Sequence, residues 1–321
     1  MVMAGLLLYQ ERLRRNTTTV GPIIAAIAII AGFQLINPSF LSYHGIITLV
    51  YAMSYFLIVA CGLTFVIMMG SFDFSVVSLL KLAALLCVLY IDKLGFLVIP
   101  LALLVSVGFG FINGLLVAKF NVPSFMATLG VCVVVEGIAW YLSKGFLNIM
   151  YNETFRALAT TFLAGLPSIF YWAMGIWIIS TFIAMCMPFG RRTYAVGGNP
   201  ISAGLSGINV ERHRIYVFML SGFFAGLAGV LYMAQLGGGS MEIGADMAIP
   251  LFASVVAGGT ALTGGVGGPH RTLLGVIIIT WIQAGMLMLA IGRDIQMVTF
   301  GLIALGMSMA TIDRRRIKII K

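Results

Sequence analysis

The chain has 321 residues, of which 61% are hydrophobic and only 9% are charged. Soluble domains are about 45–50% apolar and about 25% charged, and disordered chains are poor in apolar residues, so this composition excludes both classes. An integral membrane protein remains, and at about 20 apolar residues per span the chain has room for roughly ten spans. The net charge of +9 would suggest nucleic acid in a soluble protein, whereas in a membrane protein it more often reports topology.

The amino terminus carries a short apolar run that is followed by Arg12, Arg14 and Arg15. A signal peptide has the opposite order, so we predict an uncleaved cytoplasmic tail over residues 1–19. Apolar segments follow, and they predict an all-α integral membrane fold, a polytopic bundle of about ten transmembrane helices that forms a single domain over residues 1–321. These segments run over residues 20–36, 46–69, 76–91, 95–118, 124–142, 169–187, 215–235, 246–264, 271–291 and 296–312.

The eighth segment, 246–264, is rich in glycine. Two structures are possible for this segment: a full membrane span, and a broken or re-entrant helix. The longest outer loop is predicted over 143–168 and the longest inner loop over 188–214.

The placement of basic residues predicts the orientation of the bundle. With an even number of spans and the amino terminus inside, both termini are cytoplasmic, and the carboxyl terminus forms a basic tail over 313–321. Most of the 19 Lys and Arg residues then fall on cytoplasmic stretches, as the positive-inside rule requires. The basic balance therefore reflects topology, and nucleic-acid binding is not expected. Outer stretches hold Lys93, Lys144, Arg156 and Arg293.

Catalytic and metal-binding patterns are lacking in the sequence. The cysteines fall in apolar segments without metal or redox spacing, which predicts small core residues, and no metal site or catalytic group is expected. The glycine-rich stretch 258–268 lacks the Gly-Lys-Ser/Thr of a phosphate loop, so no cofactor is expected on this chain. A tight turn or close helix packing is the simpler interpretation of these glycines. The cysteines are Cys61, Cys87, Cys132 and Cys186.

Ionisable residues within the apolar segments are costly and therefore suggest function. Asp73 and Ser75 lie between the second and third segments, where either side chain is placed to cap the third helix. Lys81 lies too far along that helix to pair with Asp73, so it either reaches towards the membrane surface or pairs with another span. Glu136, in the middle of the fifth segment, either forms a hydrogen bond between helices or faces a polar pathway.

Small residues recur four positions apart, as in Gly110 and Gly114, Gly222 and Gly226, and Ala225 and Gly229. This spacing predicts close helix packing.

The inner loop 188–214 contains the signal for a short helix. Asn199 is placed as its N-cap and Pro200 as its first residue. Two interpretations are open: a docking element for a soluble partner, or a connector that lies on the lipid surface. The apolar surface of this helix is predicted to come from Ile201, Ala203, Leu205 and Ile208.

The same loop resembles the permeases of ribose-type monosaccharide ABC importers. The resemblance rests on the sequence Arg-Arg-Thr-Tyr-Ala-Val-Gly-Gly-Asn over 191–199 and on Ala-Gly-Leu-Ser-Gly-Ile-Asn-Val over 203–210. Supporting matches lie at 62–67 with Asp73 and Ser75, at 117–119 with 125–129, and at 255–265.

The resemblance implies a larger machine in the inner membrane of a bacterial or archaeal cell. A second permease, identical or homologous, would complete the pathway in the lipid bilayer. Two cytoplasmic ATPase subunits would bind and hydrolyse ATP with Mg²⁺, and an extracytoplasmic binding protein would deliver the sugar. The resemblance assigns a coupling helix that the ATPase grips to Gly197, Gly198, Asn199, Pro200, Ala203 and Leu205.

Departures from the family pattern suggest a divergent branch, and pairing with an identical permease or with a homologous one is open. Phe72 and Phe74 replace aliphatic residues, Val77 replaces a glycine, and residues 247–250 differ as well. The cargo therefore stays open between a monosaccharide and a nucleoside, a branched-chain amino acid or another small polar solute. Two other classes of protein are alternatives. A stand-alone secondary transporter would use Asp73, Lys81 and Glu136 for ion coupling. An intramembrane enzyme would need a nucleophile–base pair, and the sequence shows none.

Overall fold

Apolar helices make up most of the structure, a computed structural model that describes residues 27–239, 243–244 and 246–311, with side chains as far as residue 306. The predicted tails, 1–19 and 313–321, lie outside the described residues. The helices of the described part are α1 (Ile27–Ile36), α2 (Tyr43–Met68), α3 (Val76–Leu94), α4 (Val98–Ala118), α5 (Ser124–Ser143), α6 (Glu153–Thr160), α7 (Ser168–Cys186), α8 (Pro188–Gly198), α9 (Pro200–Leu205), α10 (Val210–Leu236), α11 (Ala248–Ala257), α12 (Pro269–Met288) and α13 (Arg293–Thr311).

Six helical stretches of this described part are long and apolar enough to cross a membrane. One of them, Val76–Ala118, contains both α3 and α4, which a 3-10 turn at Gly95–Leu97 separates and which pack against each other. The predicted all-α membrane class is confirmed. The helix α10 begins at Val210, earlier than the predicted 215, because Asn209 caps it by accepting the backbone N–H of Arg212 at 2.9 Å.

The eighth predicted segment is helical only over α11, which has 10 residues. At 1.5 Å per residue such a helix is about 15 Å long, half of the roughly 30 Å hydrocarbon core, so α11 alone cannot span. The chain continues into a glycine-rich loop, residues 258–268, where Gly259, Gly264, Gly265 and Gly267 take positive φ angles that favour glycine. The tight turn predicted for these glycines is confirmed.

The small residues lie where helices cross closely, as predicted. On α4, a Cβ at Gly114 would lie 2.7 Å from the Cα of Ile215 on α10. From the other side, a Cβ at Gly226 would lie 2.7 Å from the Ser106 hydroxyl. Helix α10 also packs on α2 and α3, and these helices form the centre of the buried core. Close packing is therefore the role of these positions.

The predicted outer loop 143–168 contains structure that its sequence did not predict. Helix α6 begins at Glu153 and is capped by Asn152, whose side chain accepts the backbone N–H of Phe155 at 2.9 Å. Strand β1 (Asn148–Ile149) pairs with β4 (Gly238–Gly239), and β2 (Phe162–Leu163) pairs with β3 (Leu166–Pro167), both antiparallel. Such two-residue strands are too short to give a period-2 hydrophobic pattern.

Apart from Lys81 within α3, the described basic residues are grouped at the two ends of the bundle. The end where α2 and α4 finish and α10 and α12 begin is called the α9 end here. The opposite end carries the four basic residues predicted for the outer stretches. This grouping is the one that the predicted topology requires. The described basic residues at the α9 end are Lys119, Arg191, Arg192, Arg212, Arg214 and Arg271.

The cysteines only partly fit the prediction of small core residues. Cys61 and Cys87 are buried and Cys132 is half-buried, whereas Cys186 is exposed where α7 ends. The prediction is wrong for Cys186, because an apolar segment does not specify which of its faces is buried.

Candidate functional site

The inner loop folds into two helices before α10 begins. Helix α9 starts as predicted: the Asn199 side chain accepts the backbone N–H of Ser202 at 3.0 Å, and Pro200 is the first helical residue. Helix α8, which precedes it, was missed. Only Gly190, Thr193 and Val196 are buried on α8, so its sequence gives little of the apolar periodicity that marks a helix.

The apolar side chains of α9 point away from the bundle. Ile201 is 77% exposed and Leu205 is 86% exposed, whereas Ala203 is buried against the protein. The prediction that Ala203 and Ile208 add to one apolar surface was wrong, because Ala203 faces inward and Ile208 lies beyond the end of the helix. Two large aliphatic side chains on this short helix therefore form a small exposed apolar surface.

A backbone contact joins α8 to the rest of the bundle at Gly70, Gly197, Gly264 and Gly265, which we call the glycine junction. The N–H of Gly265 donates to the carbonyl oxygen of Met68 at 2.8 Å. A Cβ at Gly197 would overlap that same oxygen, and a Cβ at Gly264 would lie 2.7 Å from the Gly70 nitrogen. Because the atoms in the way are backbone atoms, the end of α2, the end of α8 and the glycine-rich loop fit together only with glycine here.

Two aromatic side chains fix the far end of the glycine-rich loop. The Tyr194 hydroxyl on α8 donates to the Gly267 carbonyl at 2.6 Å, and the Trp177 ring N–H on α7 donates to the Pro269 carbonyl at 2.8 Å. Burial raises the pKa of the Tyr194 phenol, although nearby Arg271 opposes the effect, so the hydroxyl keeps its proton and acts as the donor. Neither role was predicted, since each depends on a contact distant in sequence.

The loop between α2 and α3 carries a buried polar network around Asp73. The Asp73 Oδ1 accepts the backbone N–H of Ser75 at 3.0 Å and its hydroxyl at 2.6 Å, while Oδ2 accepts the hydroxyl of Ser221 on α10 at 2.8 Å. The Asn113 amide on α4 donates to the Ser75 hydroxyl at 2.8 Å. The network therefore ties the loop to α4 and α10. Asn113 and Ser221 were not predicted as members.

The prediction that Asp73 or Ser75 caps α3 was wrong. Ser75 occupies the N-cap position, but among the described residues its side chain makes no capping bond to the helix. Its hydroxyl is used by Asp73 and Asn113 instead.

We expect Asp73→Asn to destabilise the protein by about 1–3 kcal/mol, because an amide cannot accept at both of the oxygen positions that the carboxylate uses. Thermal unfolding of the purified protein in detergent measures the effect. Asp92→Asn, at an exposed position near the end of α3, is the matched control and should leave the melting temperature unchanged. Equal melting temperatures for both variants would contradict the network's role.

Lys81 and Glu136 form an ion pair between α3 and α5. The Lys81 Nζ lies 2.8 Å from each of the two Glu136 carboxylate oxygens. The Lys81 side chain is 7% exposed and the Glu136 side chain is 32% exposed. Of the alternatives for Lys81, pairing with another span is confirmed. Glu136 bonds between helices and also keeps part of its carboxylate accessible.

Four phenylalanines cluster beside Asp73, and two of them are the residues that replace aliphatics. The ring centroid of Phe74 lies 4.6 Å from that of Phe252 on α11 and 5.3 Å from that of Phe125 on α5. Phe72 lies 6.1 Å from Phe252 by the same measure. The loop is held here because the backbone N–H groups of Phe72 and Phe74 each donate, at 3.1 Å, to hydroxyls in the first turns of α5.

The third departure, Val77, fits because a glycine faces it. A Cβ on Gly244 would lie 2.9 Å from the Val77 Cγ1. Because Gly244 has no side chain, there is space for the larger side chain of Val77.

Comparison with known proteins adds family relationships to this geometry. The profile of a family described as "Branched-chain amino acid transport system / permease component" matches residues 45–308. The chain is 35% identical to the ribose import permease protein of Haemophilus influenzae, over 88% of this chain and 89% of that protein. It is 32% identical to the ribose import permease protein of Bacillus subtilis, over 89% and 90%. It is 30% identical to the L-arabinose transport system permease protein of Escherichia coli, over 84% and 83%. No solved structure gives a significant match.

Proposed function

The chain belongs to the family of branched-chain amino acid transport system permease components, and on that premise we propose that it is the membrane-spanning subunit of an ATP-driven importer for a ribose-type monosaccharide. The permease itself performs no covalent chemistry. ATP and Mg²⁺ are used by separate ATPase subunits, and the free energy of hydrolysis alternates access to a pathway through the membrane.

The observation that carries this proposal is the exposed helix α9 and its attachment at the glycine junction. Two outward aliphatic side chains suit the groove of a soluble partner, as in helix-in-groove recognition. Backbone contacts transmit a push on α9 through α8 to the loop that holds Asp73. We therefore assign α9 as the coupling helix that the ATPase grips. The proposed coupling residues lie at the end of α8 (Gly197, Gly198), at the N-cap and first position of α9 (Asn199, Pro200) and within α9 (Ala203, Leu205). Among them, Gly198 has room for a small side chain, because a Cβ there would meet no described atom within 4 Å.

Orientation follows from charge. The α9 end carries most of the described basic residues, so it faces the cytoplasm, and with about ten membrane segments both termini lie on that side. The chain passes from the outer end of α10 to the start of α12 at the α9 end, so α11 and the glycine-rich loop form one of those segments as a broken crossing, not as a re-entrant one. The membrane is then the inner membrane of a bacterial or archaeal cell.

The complete machine contains further chains. A second permease, identical or homologous, completes the pathway, two ATPase subunits bind at the α9 ends, and an extracytoplasmic binding protein delivers the sugar. The cargo is proposed from the relatives named for ribose and L-arabinose, whereas the family description names branched-chain amino acids. Uptake by the reconstituted complex, with D-ribose, L-arabinose, a nucleoside and L-leucine as competitors, separates these cargoes. Uptake without any ATPase subunit would indicate a secondary transporter instead.

The coupling assignment predicts a loss of ATPase binding in Leu205→Asp. A charge placed in the apolar contact should weaken the complex by about tenfold or more, because loss of a central contact residue typically costs more than 1–2 kcal/mol. Co-purification of the ATPase and sugar-stimulated ATP hydrolysis in proteoliposomes measure the loss.

The matched control is Leu163→Asp, an exposed leucine at the opposite end of the bundle. It should leave ATPase binding at the wild-type level, and the helical content of both variants should be unchanged. Full sugar-stimulated hydrolysis by Leu205→Asp would overturn the coupling assignment.

A further inference from the structure

A cavity of about 490 Å³ lies at the end of the bundle opposite α9, between the start of α11, the last turns of α12 and the start of α13. This volume falls within the roughly 300–1,000 Å³ of small-molecule sites. It is separate from the Asp73 network, the Lys81–Glu136 pair and the phenylalanine cluster. Most of its wall is apolar, formed by residues such as Ile249, Pro250, Leu287, Met297 and Phe300.

Polar side chains from the three surrounding segments converge on this cavity. Asp246 and Arg293 form an ion pair across its rim. On α13, the Gln296 amide nitrogen donates to the Ile291 carbonyl at 2.9 Å, which leaves its amide oxygen as a free acceptor among the described contacts. A small number of placed polar groups in an apolar cavity is the usual composition of a ligand site.

Gln283 gives the strongest indication of a ligand. It lies on the apolar helix α12, lines the cavity and forms no hydrogen bond to another described residue. Its side chain is half-buried and borders the cavity, so both its N–H groups and its oxygen are available to a ligand there. A ligand in the cavity can therefore form hydrogen bonds with the Gln283 amide.

We propose that this cavity is a binding site for a monosaccharide. A carboxylate accepts from adjacent hydroxyls, a guanidinium donates to them, and amides do both, while the apolar wall suits the C–H face of a sugar ring. The pairing of Asp246 with Arg293 leaves the lining without net charge, which favours a neutral polyol over an anion. An amino acid would have to separate that ion pair in order to use both charges.

The position of the cavity suits a receiving site, a role that rests on the proposed function. In the proposed orientation it lies at the outer end, where a binding protein releases its sugar. Helix α11 starts at the cavity and ends at the glycine-rich loop, which contains Gly264 and Gly265 of the glycine junction. A single helix, α11, therefore connects the cavity to the glycine junction.

Equilibrium binding of radiolabelled D-ribose and L-arabinose to the full chain in phospholipid nanodiscs, without ATPase or binding protein, tests the proposal. Gln283→Leu should weaken sugar binding by about tenfold or more, because leucine has neither the donor nor the acceptor that the amide offers to sugar hydroxyls. Gln235→Leu, on α10 and outside the cavity, is the matched control and should bind as the wild type does. In the complete complex, Gln283→Leu should raise the KM for uptake with little change in kcat.

Equal sugar affinity of wild type and Gln283→Leu would overturn the site, as would binding of L-leucine in place of sugar, or no binding of either sugar by the wild-type chain. These failures are distinct from that of the proposed function. A wild-type complex that imports no monosaccharide would overturn the function, whereas normal import together with an inert cavity would overturn only the site.

Discussion

Replacing Glu136 by leucine while Lys81 remains is expected to destabilise the protein by about 3–5 kcal/mol, because a buried ammonium group loses its carboxylate partner. The pair is bidentate, with the Lys81 nitrogen 2.8 Å from both oxygens, and the lysine side chain is only 7% exposed. Partial exposure of Glu136 lets water reach that side of the pair, so the lower end of this range is expected. Unfolding of the purified chain in mixed micelles measures the change in free energy.

The double variant Lys81→Met/Glu136→Leu is the control for this prediction. Two apolar side chains of similar size leave no charge uncompensated, so most of the lost stability should return. If the double variant were as unstable as Glu136→Leu alone, the instability would come from packing around position 136 and the pairing argument would fail.

Glu136→Gln separates a pathway role from a structural one. The amide keeps a hydrogen bond to Lys81 but removes the negative charge. Transport that falls while the fold is retained would place the carboxylate on the pathway. Full transport would limit the pair to holding α3 against α5.

The long apolar helices were predictable from sequence because their runs are long enough to specify a span whatever their neighbours are, whereas the predicted segment 246–264 gave only the 10 residues of α11. The pairing of Lys81 with Glu136 was not, because the two residues lie 55 positions apart and meet only through the packing of α3 on α5. The sequence marked both residues as costly in a membrane, and a partner on another helix was one of two alternatives for each. That each is the partner of the other depends on tertiary structure.

The limits of the sequence are different at the inner loop. Asn199 followed by Pro200 is a local signal, and α9 begins there as predicted. Helix α8 escaped prediction because it ends in two glycines and buries few side chains. The phenylalanines were visible as departures from a family pattern, but their cluster with Phe125 and Phe252 requires α5 and α11 to meet the same loop. Local chemistry was therefore more predictable than contacts between distant segments.

The contacts from α9 inward form a continuous chain of physical neighbours. Helix α9 follows directly on α8, α8 meets Met68 at the glycine junction, and the loop after Met68 carries Asp73 and the phenylalanines. A shift of α8 must move that loop, because the contact is made by backbone atoms that have no rotamers to adjust. The glycine junction is therefore where a defect should separate ATP hydrolysis from transport.

Gly197→Ala should abolish sugar-stimulated ATP hydrolysis and lower the melting temperature, whereas Gly198→Ala should do neither. One added carbon at Gly197 overlaps the Met68 carbonyl oxygen and lies 2.7 Å from the Gly265 nitrogen. At Gly198 the same carbon would meet no described atom within 4 Å. The same substitution at two adjacent positions is therefore expected to be harmful at Gly197 and harmless at Gly198. Overpacking of this kind typically costs about 1–3 kcal/mol, and here the neighbouring atoms are backbone, so α8 has to move away from the junction.

Two measurements on this pair separate coupling from folding. Binding of the ATPase should survive in Gly197→Ala, because Leu205 and Ile201 remain exposed on α9. Hydrolysis by the bound ATPase should then lose its response to sugar, since the displaced α8 no longer holds the loop that carries Asp73. Equal sugar stimulation in Gly197→Ala and Gly198→Ala would contradict a coupling role for the junction, whatever the melting temperatures.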